Sequence, residues 1–109
     1  MNENVTKEQI KGIILSTAEE IGVKIKDIIL FGSRARKSNI KDSDWDILIV
    51  TNETYGIEQK KEIINKVQDK LVELYIPSDI IVKSKKELEY YKDKIGSVVK
   101  EALEEGVML

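Results

Sequence analysis

Two short apolar runs bracket a polar connection in the stretch IILFGSRARKSNIKDSDWDILIV, and this pattern constrains the fold more than any other feature of the chain. Residues 28–31 read as the end of one strand, which breaks at Gly32-Ser33. Ten residues later Asp44-Trp45-Asp46 opens a second apolar run, Ile47 to Val50. Side chains alternate faces along a strand, so Asp44 and Asp46 point the same way, roughly 6.6 Å apart along the backbone. Leu48 shares their face, whereas Trp45, Ile47 and Ile49 line the other. Aspartate is disfavoured in strands, and two such carboxylates repel unless a cation lies between them. Trp45 reads as a core anchor.

The rest of the chain supplies helices and one more strand. Thr6 with Gln9 makes a capping-box start for a first helix. Ile10, Ile13, Ile14, Ala18 and Ile21 form its apolar stripe, and Gly22 is a natural stop. A strand over residues 26–31 follows, then the strand Trp45–Thr51. Ile57, Ile63, Ile64, Val67, Leu71 and Leu74 mark a second amphipathic helix. Pro77, the only proline, separates it from a third strand over 78–83. Ser84 and Glu87 form another capping box ahead of Leu88 and Tyr91. A last helix carries Ile95, Val98, Val99, Ala102 and Leu103 and ends at Gly106. The expected architecture is α+β: one domain spanning 1–109, with a small mixed sheet of three or four strands flanked by helices.

Composition removes whole classes of chemistry. There is no cysteine and no histidine, so there is no disulfide, no thiolate nucleophile and no imidazole base or ligand. With 18 basic and 20 acidic residues the net charge is −2, which argues against general nucleic-acid binding. The polar N-terminus has no signal-peptide core, and no apolar run is long enough to span a bilayer. A cytoplasmic protein without membrane contact is the expectation.

What remains are carboxylates, hydroxyls, Lys and Arg. Gly32 lets a ligand approach the main chain closely, and Ser33 adds a hydroxyl beside backbone N–H groups that can cradle phosphate. Arg34 and Arg36 are the only arginines; guanidinium grips phosphate with a two-pronged geometry that lysine lacks. Asp44 and Asp46 suit Mg²⁺, which takes one or two carboxylates plus substrate phosphates and water. Asp79 heads the third strand as Asp46 heads the second. If those strands pair, it completes a triad as metal ligand or proton acceptor. Taken alone, Asp79 reads equally well as a turn residue after Pro77. Tyr75, Tyr90 and Tyr91 read as packing residues, and KSKKELEYYKDK as a solvated helix.

These residues resemble the minimal nucleotidyltransferases of the polymerase-beta-like superfamily. Their signature is Gly-Ser, ten residues, Asp-x-Asp and a later third Asp, matched here by Gly32, Ser33, Asp44, Asp46 and Asp79. The wording GSRAR…SDWD is close to that family's usual form, and the ending IGSVVKEALEEGVML resembles its last helix. Lys37 departs from the pattern, which has Gly there. The resemblance implies the polymerase-beta-like fold, with ATP as substrate and two Mg²⁺ ions held by Asp44, Asp46 and Asp79. It implies a triphosphate on Gly32 and Ser33, contacted by Arg34 and Arg36. It also implies AMP transfer to a hydroxyl, with a tyrosine of a helical HEPN-type toxin as acceptor and this chain as antitoxin. Whether the chain self-associates or pairs only with another protein stays open.

Three rival readings stand beside this one. A catalytically weak module could neutralise its partner by contact alone. A small-molecule nucleotidyltransferase would need an acceptor domain that this chain is too short to include unless a dimer builds it. Asp42, Asp44, Asp46 and Glu53 also fall at EF-hand spacing, but Ile47 stands where that loop needs glycine, and a strand follows where it needs a helix.

Overall fold

The computed structural model describes residues 7–32, 44–94 and 97–109. Helix α1 (Lys7–Ile21) leads into β1 (Ile25–Phe31); β2 (Trp45–Thr51), α2 (Ile57–Glu73) and β3 (Ser78–Ser84) follow, and then α3 (Lys85–Tyr91), α4 (Val98–Glu105) and β4 (Val107–Met108). The sheet runs β3-β2-β1-β4. β1 pairs antiparallel with β2 and with β4, whereas β2 and β3 are parallel. Parallel neighbours need a crossover, and α2 provides it. Mixed pairing with helices on the sheet is the α+β arrangement expected from the sequence.

Helices cover both faces of the sheet, which explains why β2 reads as a continuous apolar run rather than a simple alternation. On one face Leu30, Trp45, Ile47, Ile49, Ile80 and Val82 pack under α1 and α2, with Ile10, Ile14, Ile63, Val67 and Leu71 fully or almost fully buried. On the other, Ile29, Phe31, Leu48 and Val50 pack with Ala102 of α4, flanked by Ile81 and Leu88. Trp45 is the core anchor expected of it. The apolar stripes are narrower than the sequence suggests. Ile57 and Leu74, at the two ends of α2, are exposed, as are Val98 and Leu103 on α4. Val99 and Ala102 carry the burial of that last helix.

The helix ends follow local chemistry. Ser84 accepts from the Glu87 N–H at 3.1 Å, and Glu87 accepts from the Ser84 N–H at 2.9 Å, completing the capping box that starts α3. Ser97 caps α4 by accepting from the Lys100 N–H at 3.0 Å. The cap expected at Thr6 and the residue Ile95 lie outside the described residues.

β4 was not legible in the sequence, where Gly106 reads only as a helix stop. The main chain passes tightly at Gly106, where a side chain would collide with the Ala102 carbonyl and with Ile29. That close passage brings Val107 and Met108 alongside Leu30 and Ile29 as an edge strand.

Candidate active site

The head of β2 lies between the tail of β1 and the head of β3, so three candidate residues meet at one end of the sheet. Asp46 pairs with Phe31 across the antiparallel ladder and with Asp79 across the parallel one. Register partners on adjacent strands share a face and lie roughly 4.8 Å apart. The pairing on which the Asp79 reading depended is therefore present. Asp46 is half-buried, whereas Asp44, just before β2, and Asp79 are exposed.

Gly32 follows β1 and is constrained twice. Its φ is +74°, in the left-handed region that disfavours every residue with a Cβ. A Cβ built there would also run into the Asp46 carboxylate. Glycine thus brings main chain directly against a carboxylate, an arrangement suited to a ligand that touches both. The loop before β3 is pinned to the same place, because the Trp45 N–H donates to the Pro77 carbonyl at 3.0 Å. This bond fixes the approach to Asp79 against the residue between Asp44 and Asp46.

These oxygens suit a small hard cation that takes one or two carboxylates and fills its remaining positions with phosphate and water. Among the described residues no group of three acidic side chains is gathered closely enough to hold an ion unaided. Asp46 and Asp79 are register partners, and Asp44 is exposed just before β2. Ser33, Arg34, Arg36, Lys37 and Asp42 lie outside the described residues. The EF-hand reading fails on the strand: Trp45–Thr51 is β structure where a calcium loop would continue into a helix.

The reading as packing residues is corrected for Tyr75 and Tyr90. Tyr75 is 79% exposed and Tyr90 63%. Tyr91 is half-buried, edge-on to Tyr90 with ring centroids 4.8 Å apart, and the Lys83 ammonium sits 4.7 Å from its centroid. Tyr75 is also the one non-glycine residue with positive φ among the described residues, at +59°. For a bulky residue this conformation costs about 1–2 kcal/mol. Sequence reading misses it because the strain belongs to the backbone; the available signal was an aromatic at a helix end where glycine is usual.

The far end of the sheet holds a structural polar network. The Lys60 ammonium donates to Glu87 at 2.6 Å, and the Thr54 and Ser84 hydroxyls bond at 2.7 Å. Burial pushes the Glu87 carboxyl up, but Lys60, the Ser84 N–H and the Lys83 charge together outweigh it and hold its pKa below the ordinary value.

Comparison with known proteins follows the same lines. The family model described as nucleotidyltransferase domain matches residues 9–109. No curated protein matches. Among solved structures, a chain of a toxin–antitoxin complex with AMP-PNP superposes with a TM-score of 0.58 at 21% identity, covering 90% of this chain and 70% of that one. A chain from the complex of a tri-AMPylated Shewanella oneidensis HEPN toxin with its MNT antitoxin gives 0.56 at 18% identity, covering 94% and 71%. At these identities the likeness establishes a shared fold.

Proposed function

Because the chain belongs to the nucleotidyltransferase domain family, we propose that it transfers AMP from ATP to a hydroxyl, with a tyrosine of a HEPN-type toxin as acceptor, and so acts as an antitoxin. The observation that carries this reading is Asp46, the register partner of Asp79, lying against the Cβ-free backbone of Gly32. The fold neighbours point the same way: one was solved with AMP-PNP and another with an AMPylated toxin. Residues 1–109 then act as one nucleotidyltransferase domain in the cytoplasm, with the partner supplying the acceptor.

In the reaction the acceptor oxygen bonds to the α-phosphorus, the bond from that phosphorus to the bridging oxygen breaks, and pyrophosphate leaves. Positioning and charge neutralisation dominate such transfers, so a site without histidine is no handicap. Asp44, Asp46 and Asp79 would hold two Mg²⁺ ions, which neutralise the triphosphate and lower the pKa of the attacking hydroxyl. Gly32 admits the phosphates to the main chain, and Ser33, Arg34 and Arg36 follow it in sequence to contact them. Exposed at the strand head, Asp79 can take the proton released by the acceptor and pass it to water.

The test is a transfer assay with Mg²⁺, ATP and a HEPN-type protein from the same genome, read as intact mass. A mass gain of one AMP unit per modified tyrosine supports the proposal. Neutralised toxicity with unchanged mass would replace it with the contact-only reading.

A further inference from the structure

Asp79 stands at the head of an edge strand. Among the described residues β3 has β2 as its one neighbour in the sheet, so alternate main-chain groups of β3 face an open side. The Pro77 carbonyl accepts from the Trp45 N–H at 3.0 Å and so faces β2. The next carbonyl, that of Ser78, therefore faces away from β2, toward the edge. There it meets a side chain from the crossover helix: the Gln68 amide donates to Ser78 O at 3.0 Å.

That bond acts on the peptide unit next to the candidate carboxylate. The Ser78 carbonyl belongs to the peptide that joins Ser78 to Asp79, so holding it holds the backbone on which the Asp79 side chain is mounted. Strand ends fray where their main chain is free to open. Here both peptide units before Asp79 are tied, one to β2 and one to α2. The Ser78 hydroxyl, by contrast, is buried without a hydrogen-bond partner. What is held at this residue is the main chain leading to Asp79, not its own side chain.

The helix is patterned to reach this edge. Lys60, Ile64 and Gln68 recur at a spacing of four and so share one side of α2. Lys60 bonds Glu87 just beyond the end of β3, Ile64 packs against the main core, and Gln68 takes the strand head.

We infer that Gln68 is a positioning residue: through the Ser78 carbonyl it holds Asp79 where that carboxylate can ligate a divalent cation. The inference rests on the metal and nucleotide site proposed above. Groups that orient a metal-binding side chain from behind typically change metal affinity by about 10–100-fold when removed.

Calorimetric titration of ATP at a series of Mg²⁺ concentrations, with thermal melts, tests this on the wild type, Gln68→Met and Gln68→Lys. Methionine keeps the reach of glutamine and adapts to its surroundings but has no N–H. Gln68 is half-buried, and Gln68→Met should stay folded yet need about tenfold more Mg²⁺ for half-maximal ATP binding. Lysine returns an N–H donor, so Gln68→Lys should recover most of the lost Mg²⁺ affinity. A Gln68→Met that melts lower with an unchanged Mg²⁺ requirement would make the bond structural only and overturn the inference. So would a Gln68→Lys no better than Gln68→Met. Either result leaves the nucleotide site standing. Wild-type ATP binding that ignores Mg²⁺, or no binding at all, overturns both.

Discussion

Asp46 of β2 and Asp79 of β3 stand side by side in parallel register at the head of the sheet. Like charges directly opposite on neighbouring strands destabilise a sheet by roughly 0.2–1 kcal/mol. Replacing one of them should therefore stabilise the metal-free fold while removing metal affinity. In EDTA, Asp79→Asn should melt at or slightly above the wild-type temperature. Added Mg²⁺ should raise the wild-type Tm by mass action and leave the variant unmoved. Equal Mg²⁺ stabilisation of both proteins would remove Asp79 from the metal site.

Gly32 tests the geometry beneath that pair. Gly32→Ala forces a Cβ into the left-handed region and against the Asp46 carboxylate. The cost should be about 1–3 kcal/mol, measured by urea unfolding. Transfer activity should fall further than stability explains, because Asp46 must shift. A stable, fully active Gly32→Ala would mean that the main chain and this carboxylate do not cooperate.

Strands and site were not equally legible in the sequence. β1, β2 and β3 announce themselves as apolar runs, and the α3 capping box is explicit in Ser84 and Glu87. The face assignment at Asp46 follows from alternation alone, and Leu48 and Ile47 fall on the faces that period two requires. The pairing of Asp46 with Asp79 could be stated only conditionally, because a crossover of helix length does not fix register. β4 escaped notice because two residues after a glycine carry no period. Its pairing depends on Gly106 passing tightly against Ile29, a contact distant in sequence.

The polar network at the far end of the sheet should set part of the acid stability. The Glu87 carboxyl is held below its ordinary value of 4.5, so its contribution is fully present above that pH. It is lost as pH falls through the lower folded value. Glu87→Gln should cost about 1 kcal/mol at pH 7, from the bond to Lys60. The gap between the two melting temperatures should close as pH drops below 4.5. A gap that persists unchanged at pH 3 would assign the effect to packing rather than charge.

Calorimetric titration of ATP into the wild type and into Asp46→Asn, each with Mg²⁺ and then with EDTA, tests the central claim most directly. The account predicts ATP binding by the wild type that needs Mg²⁺, and at least tenfold weaker binding by a folded Asp46→Asn. ATP binding that ignores both EDTA and the substitution would contradict it.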